Sequence, residues 1–185
     1  MWVRQYEWMI MDSEPPLPEA GTVLRRIGLR MHGVCRAADN GCPDGLVSVG
    51  SGQAESPPQA AEYSLTGIAG AARDIKADTP KGLGMAALAE FVLSAGDDRF
   101  QVMFEGRAAE ISPGARVTVT GKLALVGDYE WDAFRLVDTR ADWLVTRVIH
   151  TDEGDAMLDL ATRCKGKPDA RSSPPVAHGR SRPAS

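Results

Sequence analysis

The sequence predicts an all-β protein built around one small five-stranded barrel, and three observations carry this prediction. In Phe100–Phe104 the apolar residues alternate with Gln101 and Met103, which is the pattern of a half-buried strand. Val117–Leu125 repeats the alternation, with valines and leucines on one parity and threonines and a lysine on the other. Short links rich in glycine, aspartate or proline separate the apolar runs, as turns between strands do.

The first two strands are predicted from turn residues as much as from apolar ones. Strand one runs from Tyr63 to Lys76 and is broken or bent around Gly67 and Gly70, because barrel strands must curl. Strand two covers residues 87–95, whose Met, Ala, Leu and Glu content also suits a helix. A strand is favoured because Gly96–Asp98 then forms a tight link to the clear strand that follows.

The second half of the barrel follows the same logic. Gly106–Pro113 is predicted to be a short helix or turn between strands three and four, plugging one end of the barrel. Strand four begins near Val117, and a turn after it leads into Tyr129–Val137. Trp143–Ile149 is the expected closing strand. Together these elements define a barrel domain over residues 61–150.

The flanking regions have weaker patterns. Residues 1–60 are predicted to be poorly organised because prolines, glycines and serines interrupt them. Within them, Thr22–Met31 suits a short strand or helix, and Gly45–Val49 a short strand. Residues 151–163 suggest a short helical extension, and 164–185 a disordered basic tail without apolar periodicity. The barrel is thus expected between flexible tails.

Five short motifs stand in an order that resembles the bacterial single-stranded DNA-binding proteins. Each motif is weak alone, but their order along about a third of the chain is more specific. The resemblance implies an OB-fold, which is a five-stranded Greek-key barrel. The motifs are Leu65-Thr-Gly67, Pro80-Lys-Gly82, Ala89-Glu-Phe91-Val-Leu93, Gly106-Arg-Ala-Ala-Glu110, and the run from Pro113-Gly to Gly121-Lys-Leu123.

The resemblance implies single-stranded DNA binding without sequence specificity, in replication, repair or recombination, by a homo-oligomer. In that mode bases stack on aromatic rings beside a groove of cations. Tyr129 and Trp131 are the predicted stacking residues, on the hairpin after strand four. The predicted backbone contacts are Arg73, Lys76, Lys81, Arg99, Arg107, Lys122 and Arg135.

Departures from the family pattern fall on the expected binding surface. Arg99 stands where the family typically has tryptophan, and Glu105 where it typically has phenylalanine. Residues 61–150 hold 10 Lys/Arg against 13 Asp/Glu, which disfavours strong phosphate binding. The alternative is therefore an OB-fold module for protein interaction, a diverged paralogue that no longer binds DNA.

Other chemistry finds little support in the sequence. His32, Cys35 and Cys42 lack the paired short spacings of a structural zinc site, so no metal is expected. The 3 histidines are scattered, and nucleophile-elbow and phosphate-loop motifs are missing, so neither an enzyme nor a cofactor is predicted. Without an apolar run long enough for a membrane helix, a cytoplasmic protein is expected.

Overall fold

The protein is mostly β, as the sequence predicts. A computed structural model describes residues 1–12, 17–49, 61–75, 87–127, 130 and 138–162. The regular elements that the structure describes are one short helix, α1 (Glu7–Met11), a 3-10 turn at Ala108–Glu110, and ten strands. The strands are β1 (Trp2–Gln5), β2 (Val23–Ala37), β3 (Gly45–Val49), β4 (Glu62–Ala69), β5 (Arg73–Ile75), β6 (Leu88–Ala95), β7 (Asp98–Glu105), β8 (Arg116–Val126), β9 (Ala141–His150) and β10 (Ala156–Thr162).

All ten strands belong to one sheet in the order β3-β4-β8-β1-β10-β9-β2-β7-β6-β5, with further pairings of β4 with β6 and of β8 with β2. These two pairings close the hydrogen bonding into two rings that share β2 and β8. The first ring contains β2, β4, β6, β7 and β8. The second ring contains β1, β2, β8, β9 and β10.

The two rings follow one another along the shared strands and enclose one core. Val117 and Val119 lie on the stretch of β8 that pairs with β4, whereas Leu123 and Leu125 flank the residue that pairs with β1. All four have the same parity, so they point to the same side of β8. All four are buried in a single apolar cluster that also includes residues of β1, β9 and β10.

The first ring confirms several local predictions. The predicted first strand is broken, with β4 and β5 on either side of residues 70–72. Residues 88–95 form a strand, and Gly96 adopts a φ of 63° in the tight hairpin that pairs Ala95 with Asp98. The predicted link after β7 contains the 3-10 turn. Val117, Val119, Leu123 and Leu125 face the core on one parity, as expected.

Three expectations for the rest of the chain were wrong. Trp143–Ile149 does form a strand, within β9, but this strand does not close the first ring. Strand β2 closes it, pairing in parallel with β7 and antiparallel with β8. Residues 1–60, expected to be poorly organised, supply β1, α1, β2 and β3. The expected helix in 151–163 is strand β10, because pairing with both β1 and β9 overrides helix propensity. Tyr129–Val137 and the basic tail lie outside the described residues, apart from Glu130.

The shared strands are tightly packed where the rings meet. Residues 27–31 of β2 are buried whether they point to the core or away from it. The Arg30 guanidinium points away from the core, and its Nη1 lies 2.5 Å from Glu130 Oε1, with both side chains largely buried. Gly33 and Gly121 face each other on β2 and β8, and a β-carbon on either would collide with the backbone of the other strand. The β2–β8 pair is thus a close-packed wall common to both rings.

Within the described ranges, neither helix has the length and apolarity that crossing a bilayer would require.

Candidate nucleic-acid interface

Strand β1 presents an aromatic and cationic row on its outer side. Val3 and Gln5 are fully buried, so Trp2 and Arg4 point outward, and Tyr6 follows at the same spacing. In register, Arg4 lies between Ala124 of β8 and Met157 of β10. The row therefore lies on the outer surface of the second ring.

A pocket of about 240 Å³ opens beside this row, where β8 changes its neighbour from β4 to β1. We call it the seam pocket. Its volume is below the roughly 300 Å³ at which sites for drug-sized ligands begin, so it suits a group of one or two rings. It is lined by Trp2, Arg4, Tyr6, His32, Ala61, Lys122, Leu123, Ala124 and Met157.

Two arginines hold the aromatic rings of the seam pocket in place. The Arg147 guanidinium lies 4.8 Å from the centre of the Trp2 ring, and its Nη2 is 3.1 Å from the Asp159 carboxylate. The Arg4 guanidinium lies 5.6 Å from the centre of the Tyr6 ring. Such cation–π contacts favour one orientation of the ring. Burial raises the pKa of Tyr6 above its usual value of 10.0, so this hydroxyl remains protonated at neutral pH.

The charges of these arginines are largely balanced by carboxylates. Arg4 forms ion pairs with Glu153 at 2.8 Å and with Asp155 at 2.5 Å. Lys122, in contrast, is exposed and makes no ion pair with any described residue. Burial, helped by the nearby Arg30 charge, lowers the pKa of His32 to about 4, so His32 is neutral at pH 7. The net cationic character of the pocket thus comes mainly from Lys122.

His32 also lines a second pocket of about 320 Å³ on the side of β7. We call this the Glu105 pocket, because Glu105 is the charged residue among those that line it. Its other walls are Gly33, Val34, Leu88, Met103 and Phe104. The two pockets are neighbours on the outer surface with His32 between them.

Of the predicted DNA contacts that the structure describes, only Lys122 lines the seam pocket. A row across the sheet pairs Lys122 with His32, His32 with Met103, Met103 with Glu90, and Glu90 with Arg73. At about 4.8 Å for each strand, Arg73 lies roughly 19 Å from Lys122 along the sheet. Arg73 donates to the buried Glu90 carboxylate at 2.6 Å, so its charge is balanced where it lies.

Two further predicted contacts are described, Arg99 and Arg107, and neither lies at this site. Arg99 is exposed, and its guanidinium is 3.4 Å from the Asp138 carbonyl oxygen. Arg107 is exposed beside the 3-10 turn and lines neither pocket. The remaining predictions lie outside the described residues: Lys76, Lys81, Tyr129, Trp131 and Arg135.

The first ring also carries an exposed apolar face on its outer side. Val34 pairs with Thr120, Thr120 with Ser64, and Ser64 with Val47, so these residues form one row across four strands. Val34 is 58% exposed and Val47 is 52% exposed. Val49 and Ile68 extend the patch on β3 and β4. We call these four apolar residues, Val34, Val47, Val49 and Ile68, the valine face.

Two of the residues considered for a zinc site, His32 and Cys35, lie on opposite sides of β2. His32 and Cys35 differ in parity, so His32 points outward while Cys35 packs against the core. Burial raises the pKa of the Cys35 thiol to about 11, which disfavours the thiolate that binds metals. Among the described residues, no group of three His, Cys, Asp or Glu side chains could hold a metal ion.

Sequence reasoning missed Trp2, Arg4 and Tyr6. Their alternation with Val3 and Gln5 was a usable signal, since period-two spacing of large side chains indicates a strand. The signal was weak because the buried side of β1 has one apolar residue, Val3, and one polar residue, Gln5.

No protein-family model, curated protein or solved structure matches this chain.

Proposed function

We propose that the protein binds single-stranded DNA at the seam pocket. The observation that carries this proposal is the outward row Trp2–Arg4–Tyr6 beside Lys122. Aromatic rings that alternate with cations are how proteins bind single strands, because every base has a face that stacks and every nucleotide carries a phosphate. A base would enter between the rings of Trp2 and Tyr6, with the backbone passing Lys122.

We also propose that the first ring is an OB-type barrel whose closing strand is β2. The motif order in Tyr63–Leu123 supports this, as does the ring of five strands with a helical turn after β7. On this proposal the fold has the resemblance predicted from sequence, but its closing strand comes from the N-terminal side. The second ring then adds β1, and with it the aromatic row, to the outside of the barrel.

Affinity should be modest and should depend moderately on salt. Arg4 and Arg147 already have carboxylate partners, which compete with phosphates for their charge. If Arg4, Arg147 and Lys122 all contact phosphates, the slope of log K against log salt would be about −2. A much steeper slope would indicate cations beyond this site, such as the basic tail.

The proposal is tested by fluorescence anisotropy with an end-labelled thymidine oligonucleotide at low salt. Trp2→Ala should weaken binding by roughly 5-fold to 100-fold, the loss of about 1–3 kcal/mol expected for one stacked base. Trp8→Ala is the matched control, because Trp8 is 39% exposed but does not line the pocket. Equal affinities for wild type and Trp2→Ala, or no binding by wild type, would refute the proposal.

Stacking on Tyr129 and Trp131 stays a prediction. The double variant Tyr129→Ala/Trp131→Ala tests it in the same assay. If this variant binds as tightly as wild type while Trp2→Ala does not, the bases stack at the seam pocket alone.

The valine face favours a second candidate function, protein interaction, with a second copy of the chain as the partner that the resemblance implies. The exposed β-branched residues of the valine face lie on one side of the sheet, on β2, β3 and β4, and large exposed apolar surfaces mark interaction sites. Sedimentation velocity should detect a dimer, and Val47→Glu should dissociate it. Ile149→Glu is the control and should leave the dimer intact, because Ile149 is a partly exposed residue of β9, away from the valine face. A wild-type monomer at high concentration would exclude self-association.

A further inference from the structure

We infer that the Glu105 pocket selects bases that carry an exocyclic amine, so that the protein prefers cytosine to thymine in a single strand. This inference rests on the proposed function, because it assigns a base preference to the same surface. It departs from the binding without sequence preference that the resemblance implies.

The two pockets are placed to receive neighbouring nucleotides of one strand. His32 lines both of them and pairs in register with Lys122 on one side and Met103 on the other. Lys122 and Met103 are therefore separated by two strand spacings, about 10 Å. A DNA strand that runs past Lys122 can place one base in the seam pocket. The next base can then reach across His32 into the Glu105 pocket.

Two polar side chains line the Glu105 pocket, the neutral imidazole of His32 and the carboxylate of Glu105, and Glu105 is the charged one. Val34, Leu88 and Met103 supply apolar walls for the faces of a base. Glu105 points to the outer side of β7, is exposed, and makes no ion pair with a described residue. An ionised carboxylate accepts hydrogen bonds and cannot donate them. The pocket therefore offers an acceptor at its rim.

This acceptor distinguishes two pyrimidines of nearly equal size. Cytosine presents an N4 amine, which a carboxylate accepts, whereas thymine presents the O4 carbonyl at the same position. Thymine would leave the carboxylate facing an oxygen, so it loses the hydrogen bond and meets electrostatic repulsion. Cytosine is the favoured ligand.

The Glu105 carboxylate also determines the path that the bound DNA strand would take. Phosphates are repelled by Glu105 and attracted by Lys122, so the backbone should follow the Lys122 side and only a base should cross His32. The acidic residue that counted against DNA binding in the sequence thus becomes a base-reading group.

The test compares labelled oligo-dC and oligo-dT of equal length at pH 8 by anisotropy competition. Wild type should bind oligo-dC about fivefold or more tightly than oligo-dT. Glu105→Gln keeps the shape of the side chain but can donate to thymine as well as accept from cytosine, so the ratio should fall to near one. Asp97→Asn, in the exposed β6–β7 hairpin, removes an equal charge and should leave the ratio unchanged.

The outcomes separate the two proposals. Tight binding of both oligonucleotides with a ratio near one in wild type, or a ratio that Glu105→Gln does not change, overturns the base preference and leaves the proposed function standing. Failure of wild type to bind either oligonucleotide overturns the proposed function itself.

Discussion

The two rings differ in how firmly they are closed. In the first ring, β6 pairs with β7 from Leu88–Ala95 to Asp98–Glu105, and β4 pairs with β8 over most of its length, while the shortest junction pairs β4 with β6 at two positions. In the second ring, β1 and β8 meet in register only where Arg4 lies beside Ala124. Side-chain contacts hold β1 to its other neighbours: the Trp2 amide donates to the Tyr63 hydroxyl on β4, and Arg4 pairs with Asp155 just before β10.

The difference explains where the candidate site lies. Long backbone ladders leave no opening between neighbouring strands, whereas a short junction leaves a gap that side chains must line. The seam pocket occupies such a gap, between the start of β4 and the start of β1. The candidate site thus lies where the backbone pairing of the second ring is least continuous.

The largest expected effect comes from breaking the wall that both rings share. Gly33→Ala should destabilise the fold by more than about 4 kcal/mol, because the new β-carbon collides with the backbone of β8 at Thr120. Gly41→Ala is the control, since nothing lies within 4 Å of a β-carbon there. Denaturant unfolding measures both. A Gly33→Ala protein as stable as the control would show that the strands can separate without cost.

A smaller effect is expected at the buried ion pair beside the wall. Arg30→Met removes the partner of Glu130 and should destabilise the protein by about 3 kcal/mol, because a largely buried carboxylate is left unpaired. Arg36→Met, on the exposed end of the same strand, should change stability by less than about 0.5 kcal/mol. Adding Glu130→Leu to Arg30→Met should restore part of the loss. If the double variant is no more stable than Arg30→Met, the ion pair with Glu130 is not the source of the stability that Arg30 provides.

The smallest expected effect is the loss of folding stability at low pH that His32 causes. The pKa of His32 is about 4 in the folded protein, against 6.5 in an unfolded chain. The unfolded chain binds the proton more readily between these values, so stability present above pH 6.5 is lost as pH falls toward 4. Burial and the Arg30 charge lower the pKa of His32, while the Glu130 charge raises it.

The expected loss is about 1–2 kcal/mol, less than the full pKa difference implies, because His32 is only partly buried. Unfolding midpoints of wild type and His32→Gln, measured at pH 7 and pH 5, should show a smaller fall for the variant. His150→Gln, at the exposed end of β9, should behave like wild type. Identical falls in all three proteins would assign the acid sensitivity to carboxylates.

Much of the first ring was predictable because alternating apolar residues mark β7 and β8 and turn residues mark the links between strands. Phe100, Val102 and Phe104 are buried on one parity of β7, and Gly96 marks the hairpin before it. Strand β2 was not predictable in this way. Residues 27–31 are buried on both parities, and Arg26 adopts a φ of 54° at an irregularity in the pairing with β9, so alternation is lost.

The candidate site was mostly beyond sequence reasoning, because it depends on pairing between distant segments. Lys122 was identified from its outward parity on β8. Its neighbours Trp2, Arg4 and His32 come from β1 and β2, and nothing in their local sequence indicates that they meet Lys122. The balance of Arg73 by Glu90 likewise depends on a strand pairing that composition does not reveal.

Closure of the first ring by β2 also affects how the protein folds during its synthesis. The ribosome makes β2 before any other strand of that ring, yet its partners β7 and β8 begin at residues 98 and 116. Contacts this far apart along the chain form slowly, and until they form β2 has unpaired edges. A fragment that starts at residue 61 would lack the closing strand and leave β7 and β8 open, so we expect such fragments to aggregate or to capture strands from one another.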